Sequence, residues 1–259
     1  MRKLKQIQTV SCLLFAGVSI FGAPVDFNNY TIGKIASTGT FSTNLLDSAG
    51  SNSGFVLNGT GSYELSVESA GGGKNLQLIS RTAPSTAWIA SEKPLALDEN
   101  WKISIEFSLS GSPSGPVLFG LYAAGSTDKK GAYAEKSLFS FGSSDNRGIA
   151  TVVQAVIRPA GNFTFNFIDS GGVPRSPGDA PNVDLQGRTA YRIEFECDAK
   201  IIVATLRQAD GKSLYQRRIN ISDAAGRAIR AVDFAAGDII NNGTLGWNIS
   251  ISGIEFTAN

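Results

Sequence analysis

Apolar and polar side chains alternate strictly along four separate stretches of the chain. In residues 191–198, Tyr191, Ile193, Phe195 and Cys197 are separated by charged residues at every intervening position. Because successive side chains of a β-strand point to opposite faces, this period of two predicts a strand with one buried and one solvated face. Residues 101–109, 163–167 and 245–251 alternate in the same way. Four such stretches predict an all-β protein.

Shorter apolar or β-branched runs, separated by turn-forming residues, predict additional strands. They cover residues 63–68, 75–80, 117–122, 150–158, 201–208 and 213–219. Asp210-Gly211 lies between the last two runs and is typical of a β-hairpin turn, and Ala160-Gly161-Asn162 predicts the same kind of turn after residues 150–158. Residues 47–61 and 169–186 are rich in turn-forming residues and are predicted to be loops, while residues 222–231 are the one helical candidate. These patterns predict a single sandwich of two antiparallel sheets built from roughly a dozen strands.

Residues 1–23 are predicted to be a secretory signal peptide. Arg2, Lys3 and Lys5 precede an apolar run over residues 10–23, which is the layout of such a segment. The run is shorter than the roughly 20 residues that a membrane-spanning helix needs, and no second run follows. We therefore expect residues 24–259 to form one domain without a membrane span, secreted, periplasmic or on the cell surface. The whole chain has 23 Lys and Arg and 22 Asp and Glu. Removal of residues 1–23 would remove three of the cations, so the net charge of the mature protein would be 20 − 22 = −2.

The composition excludes several classes of function. The chain has no histidine, which excludes Ser-His and Cys-His nucleophile systems and every zinc site with a histidine ligand. The net charge of +1 for the whole chain provides no broad basic surface for a nucleic-acid backbone. Cys197 is one of the alternating apolar residues of the 191–198 stretch, which predicts a small buried side chain rather than a nucleophile.

Four segments together resemble a known group of jelly-roll domains. They are residues 25–33, the strand ending Phe119-Gly120-Leu121-Tyr122, the hairpin over residues 191–219, and residues 246–256. The chain is similar to concanavalin A-like lectin/glucanase domains, and within them to the laminin-G-like jelly rolls of secreted bacterial proteins. This resemblance implies a concanavalin A-like fold in which the first and last strands pair, bringing Asp26 near Glu255. It also implies a polysaccharide or glycan as the partner.

Acidic residues in the 191–198 stretch are the nearest approach to a glycanase site. Retaining glycanases need two carboxyl groups about 5 to 5.5 Å apart, and Glu194 and Glu196 share one face of the predicted strand. The glutamate expected next in the concanavalin-like glucanase motif is missing here. The other interpretation is a solvated outer face in which cations accompany these acids. The related polysaccharide lyases use a histidine beside a tyrosine and an arginine. Without histidine this set is incomplete here, and a mechanism that uses tyrosine alone stays open.

A sugar-binding site needs fewer specialised groups: a flat aromatic ring and several polar groups. Trp101 and Trp247 each belong to the apolar residues of an alternating stretch, and both are predicted to pack in the core. Trp88 follows a turn-like stretch and Tyr122 ends its predicted strand, so these two rings are the candidates for exposed stacking surfaces. The polar candidates from a loop cluster are Asp145, Asn146 and Arg147. Jelly-roll lectins often hold Ca²⁺ at a rim of the sandwich. The acidic residues of this chain do not have the spacing of a calcium-binding loop. Whether the protein holds a structural Ca²⁺ is a question that the sequence leaves open.

Three functions are consistent with these observations. The first is a secreted, non-catalytic carbohydrate-binding module of the lectin type. The second is a structural or adhesive extracellular scaffold, in which Trp88 and Tyr122 would be buried. The third is a glycanase or polysaccharide lyase with an unfamiliar site, in which Glu194 and Glu196 would converge in a cleft. The absence of a complete catalytic set favours a protein that is not an enzyme.

Overall fold

A computed structural model describes residues 24–111, 116–124, 151–168, 174–175, 182–184, 189–221, 230–240 and 248–258. Within these ranges the chain forms sixteen strands and one short 3-10 helix, Phe27–Asn29, and no α-helix. The all-β prediction is confirmed. The predicted signal peptide, residues 1–23, lies outside the described residues. The strands are β1 (Val25–Asp26), β2 (Gly33–Thr38), β3 (Phe41–Leu46), β4 (Asn52–Ala70), β5 (Gly73–Ser91), β6 (Leu95–Ala96), β7 (Trp101–Ser110), β8 (Val117–Ala123), β9 (Thr151–Ile157), β10 (Phe163–Ile168), β11 (Pro174–Arg175), β12 (Tyr191–Asp198), β13 (Ile201–Gln208), β14 (Ser213–Asn220), β15 (Ala231–Ile240) and β16 (Asn248–Ala258).

All strand pairs are antiparallel and belong to one continuous ladder. Its order is β11-β10-β9-β8-β15-β5-β16-β7-β12-β13-β14, with β4 beside β5, and β2 and β3 beside β4. The short strands β1 and β6 pair with β16 and β15. The pairing of the first and last strands, which the resemblance implied, is therefore present. Asp26 lies opposite Gly253, two residues before Glu255.

The ladder folds back on itself to form the two layers of a sandwich. Phe107 on β7 and Phe119 on β8 have ring centroids 4.4 Å apart although four strand pairings separate β7 from β8 in the ladder. Phe165 on β10 lies 6.5 Å from Phe195 on β12 in the same way. Contacts between strands so far apart in the ladder require the two halves to lie face to face. The predicted sandwich is confirmed, with the difference that its layers are joined by backbone pairing.

The long hairpin of β4 and β5 makes the connection between the layers. One end of β5 pairs with β15 and the other end pairs with β16. The register of β4 against β5 shifts between Thr60 and Tyr63, and such irregularities bend a strand pair. At this bend a Cβ on Gly59 would overlap the Tyr63 ring. Glycine at this position therefore permits the Tyr63 ring to pack against the backbone.

Inward-facing side chains of both layers form one apolar core. Trp101 is 2% exposed and Cys197 is 1% exposed, so the prediction that both side chains pack inside is confirmed. Burial raises the pKa of the Cys197 thiol, against a backbone hydrogen bond from Lys200 that lowers it. A buried thiol with a raised pKa is mostly protonated near neutral pH, which is unfavourable for a nucleophile.

Several local predictions are confirmed at the hairpins. Gly211 has a φ of +87° in the turn between β13 and β14, and the Asp210 side chain accepts a hydrogen bond from the backbone N–H of Lys212 at 2.9 Å. This is the turn chemistry that Asp-Gly supplies. Gly161 has a φ of +81° between β9 and β10. Trp247 and most of the predicted helix, residues 222–229, lie outside the described residues.

Two segments predicted to be loops and one predicted to be a helix contain strand residues. The glycine- and serine-rich stretch 47–61 is not a loop throughout, because β4 begins at Asn52. Within residues 169–186, Pro174–Arg175 pairs with β10. Ala231, placed at the end of the helical candidate, is the first residue of β15. In each case pairing with neighbouring strands overrides a weak local preference.

Among the described residues, no helix has the length and apolar character needed to cross a membrane.

We expect Phe107→Ala to destabilise the protein by about 3–5 kcal/mol, because it removes a fully buried ring from the contact between the two layers. Urea unfolding followed by far-ultraviolet circular dichroism would measure the loss. Phe41→Ala is the matched control, since Phe41 is only partly buried on the edge strand β3. Equal losses for the two variants would contradict the assignment of Phe107 to the interlayer core.

Candidate functional site

One layer carries polar side chains on the face that points away from the core. In this layer, made of β10, β9, β8, β15, β5 and β4, alternate residues belong to the core cluster. The residues between them point to the opposite side. We call the following set the polar face; each member is at most 5% exposed: Asn58, Thr86, Trp88, Tyr122, Gln154, Thr164, Asn166 and Asp233.

Small residues in the middle of the polar face determine how Tyr122 lies. A Cβ added at Gly120 would be 2.8 Å from the Tyr122 hydroxyl oxygen, so the ring lies back over Gly120. Gly120 pairs with Gln154 on the next strand. The Gln154 amide donates a hydrogen bond to the Tyr122 hydroxyl at 3.1 Å. The glycine thus permits the contact between the tyrosine and the glutamine.

The polar face also carries hydrogen-bonding groups without a partner. Asn166 lies beside Gln154 in the register of β10 and β9. The Asn166 Oδ1 and the Thr86 Oγ1 are buried and accept or donate no hydrogen bond within the described part of the chain. An unsatisfied buried polar atom costs about 1–3 kcal/mol, so each such atom calls for an explanation. The amide carbonyl and the hydroxyl are both groups that a bound hydroxyl could satisfy.

The structure places the two predicted stacking residues on this same face. Trp88 pairs with Asn58 on one side and Gly237 on the other, and β15 alone separates its strand from that of Tyr122. The expectation that their rings are exposed is wrong, because Trp88 is 1% exposed and Tyr122 is 0% exposed. Trp88 lies inside β5 rather than at a turn, since strands pair with it on both sides. The sequence analysis did not single out Gln154 and Asn166. The alternation along β9 and β10 shows which face of the sheet they lie on but not which residues are beside them.

The remaining predicted polar candidates, Asp145, Asn146 and Arg147, lie outside the described residues. Asp184, in the segment 169–186 that was predicted to be a loop, accepts a hydrogen bond from Thr189 at 3.1 Å through its carboxylate. No group of three or more His, Cys, Asp or Glu side chains suited to a metal ion occurs within the described ranges. A structural Ca²⁺ is thus a prediction that these residues do not test.

Glu194 and Glu196 lie on the outward face of the other layer. Glu194 is 6% exposed, and its carboxylate is 3.0 Å from the Lys102 ammonium and 2.7 Å from the Arg207 guanidinium. Burial alone would raise the pKa of Glu194, but hydrogen bonds from Arg207 and Lys102 bring it below its usual value. A general acid needs a raised pKa. The arrangement is that of an ion-pair network and does not suit a proton donor.

We expect Gly120→Ala to destabilise the protein by about 1–3 kcal/mol, because the new methyl group displaces the Tyr122 ring and its hydrogen bond with Gln154. Chemical unfolding of a double-mutant cycle would test the contact. In a Tyr122→Ala background the same substitution should have little effect. Additive losses at the two positions would show that the ring does not lie over Gly120.

We expect Glu194→Gln to destabilise the protein by about 1–3 kcal/mol at pH 7, because it removes a charge-assisted hydrogen-bond acceptor. The pKa of Glu194 is lowered in the folded state, so this stabilisation is present above the unfolded value of about 4.3 and is lost as pH falls through the folded pKa. Unfolding curves from pH 7 to pH 3 would show the two proteins converging. Glu196→Gln, at an exposed position two residues away, should change stability little at any pH.

Solved structures with a similar arrangement include lectins and a lyase. No protein-family model matches the chain, and no curated protein matches it. A protein of unknown function from Shewanella oneidensis MR-1 has a TM-score of 0.54 and 18% identity over 88% of this chain and 90% of that chain. Lectin II from Ulex europaeus has a TM-score of 0.52 and 14% identity over 86% and 100% of the two chains. An alginate lyase has a TM-score of 0.51 and 12% identity over 74% and 83%. The lectin and the lyase are concanavalin A-like jelly rolls, and the present chain has that fold.

Proposed function

We propose that the protein binds carbohydrate without breaking it down, and that the polar face is the binding site. The observation that carries this proposal is the pair of buried, unsatisfied polar atoms on that face, Asn166 Oδ1 and Thr86 Oγ1. Sugar hydroxyls donate and accept hydrogen bonds and would satisfy both atoms. A ligand that supplies these partners removes a desolvation cost that the free protein bears.

The groups around these atoms suit a sugar in their chemistry. The Tyr122 hydroxyl and the Gln154 amide form a line of neutral donors and acceptors that continues to Asn166. Trp88 lies on the same face, but its ring is 1% exposed, so it could stack on the apolar side of a pyranose only after the face opens. The similarity to a lectin crystallised with galactose, at a TM-score of 0.51 and 13% identity, adds an analogy of fold.

The burial of its side chains restricts access to the site. Every member of the polar face is at most 5% exposed, so a glycan reaches Asn166 and Thr86 only if the shielding of the face changes on binding. Trp88 lies on that face and its emission would report such a change. We propose Asp145, Asn146 and Arg147 as further ligand-binding residues. We also propose a structural Ca²⁺ whose removal would weaken binding.

We expect Asn166→Ala and Gln154→Ala to weaken glycan binding by about three- to tenfold each, the loss of one neutral hydrogen bond. A glycan array with calcium, repeated with a chelator, would identify the ligand, and calorimetry would give the affinities. Asn75→Ala and Gln216→Ala are the matched controls, because they remove the same groups from the other layer. Variants that lose affinity equally at all four positions would contradict the placement of the site.

A second candidate function is a structural or adhesive scaffold. The burial of both Trp88 and Tyr122 favours it, because neither ring offers a stacking surface to solvent. A scaffold would use the sandwich for its stability and would have no glycan ligand. A folded protein that binds nothing on a broad glycan array, with or without calcium, would overturn the carbohydrate proposal in favour of the scaffold.

We also propose that residues 1–23 are removed during export and that residues 24–259 act outside the cytoplasm. The cationic start and the apolar run support this location. Mass spectrometry of the protein recovered from the periplasm or medium would measure the N-terminus. An intact N-terminus on protein that stays in the cytoplasm would contradict the proposal.

A further inference from the structure

A groove opens at the flank of the sandwich, away from the polar face. It lies where β2 and β3 run along the two arms of the bent strand β4, and its volume is about 310 Å³. Leu57 and Val67 form its floor and belong to the core cluster. The groove therefore leads from solvent to the apolar interior between the layers. Its volume is at the small end of the roughly 300–1,000 Å³ of small-molecule sites.

Apolar side chains stand exposed at the mouth of this groove. Ile32 is 53% exposed and Leu46 is 48% exposed, and they are the two large hydrophobic side chains exposed within the described parts of the chain. Both residues line the groove. Single exposed apolar residues are common, but two at the mouth of one groove with an apolar floor form a continuous apolar path.

Some polar groups of the groove form hydrogen bonds within the protein. The Asp47 carboxylate accepts hydrogen bonds from the backbone N–H groups of Ala49 and Ser51, at 2.9 and 2.8 Å. The Ser48 hydroxyl donates to a backbone carbonyl, and the Asn44 amide donates to Glu92. These groups have partners and are poorly placed to recognise a ligand.

Lys34, Thr31 and Thr43 form the second group. Each lines the groove, and no hydrogen bond or ion pair engages their side chains within the described residues. Burial raises the pKa of the Tyr30 phenol, a hydrogen bond with Ser53 lowers it, and the charge of Asp47 raises it further. The phenol is therefore neutral and adds no negative charge. The groups left for a ligand are one ammonium and two hydroxyls, which complement an anionic head group.

We propose that the flank groove binds an amphipathic monocarboxylate, with its carboxylate at Lys34 and its alkyl chain directed past Ile32 and Leu46 towards Leu57 and Val67. The apolar path matches an alkyl tail, and the free ammonium matches the head. This ligand is a different chemical class from the carbohydrate assigned to the polar face, and the two sites share no residue. The groove proposal therefore stands independently of the proposed function.

The test uses octanoate and octanol, two ligands of equal chain length that differ in the charge of the head group. Calorimetry with the purified protein should show octanoate binding more tightly than octanol. Hexanoate should bind more weakly than octanoate, by up to about fourfold for each methylene lost, if the tail is buried. Equal affinities for octanoate and octanol, or no binding of octanoate, would overturn the proposal.

Two pairs of variants locate the binding. Lys34→Met should weaken octanoate binding by about tenfold and leave octanol unchanged, while Lys212→Met, in the turn between β13 and β14, should have no effect. Thr43→Phe should fill the groove and abolish binding of both ligands. Its control, Ser42→Phe, places the same ring at the neighbouring exposed position of β3, whose side chain points to the opposite face. Equal effects within either pair would overturn the assignment.

A second copy of the chain is the competing occupant of the groove. Sedimentation over a range of protein concentrations would detect it. A dimer that Ile32→Ser and Leu46→Ser dissociate would show that the exposed apolar residues form an interface, and would overturn the ligand proposal. A monomer throughout, together with octanoate binding that depends on Lys34, would support it.

Discussion

Backbone pairing along the β4 and β5 hairpin holds the two layers of the sandwich together. Each of these strands has 19 residues, which is several times the usual length of about 5–6 residues. A strand of that length cannot stay within one layer of a small domain. The bend between Thr60 and Tyr63 directs one end of the hairpin into each layer. The hydrogen-bonded ladder is therefore continuous, and the position of one layer relative to the other depends on this bend.

The two proposed sites follow from this geometry in different ways. The polar face belongs to the layer that β5 joins through β15, and its neutral hydrogen-bonding groups come from strands on both sides of that junction. The flank groove forms because β2 and β3 accompany different arms of β4 and leave the core accessible between them. One site offers the unsatisfied amide and hydroxyl oxygens of Asn166 and Thr86, with Asp233 on the same face, and the other offers an apolar path beside the Lys34 ammonium. This difference in chemistry is the reason that the two sites are assigned different ligands.

The outward face of the second layer shows how the fold uses its charges. Lys102 and Arg207 lie on the strands on either side of Glu194 and both pair with its carboxylate, and Arg192 pairs with Glu106 at 3.0 Å beside them. Paired charges on a regular strand face keep the layer solvated on one side. Although burial alone would raise the pKa of Glu194, its hydrogen bonds with Arg207 and Lys102 hold that pKa below its usual value, which does not suit a general acid.

Local sequence patterns were sufficient to predict the strands with regular alternation and the turns with Asp-Gly or Gly-Asn, because the period of two and the backbone preferences of glycine act within a few residues. They also placed Trp101 and Cys197 in the core. They missed β15, whose alanines, glycine and aspartates lack a clear period. They also placed Trp88 directly after a turn-like stretch, although it lies inside β5 and strands pair with it on both sides. Tyr122 was named as a candidate residue, but the Gln154 amide that donates to its hydroxyl, and Asn166 beside Gln154, come from other strands. Which strands become neighbours, and hence which side chains share a face, depends on hydrogen bonds between residues far apart in the chain, so the tertiary structure alone decided the polar face and the groove.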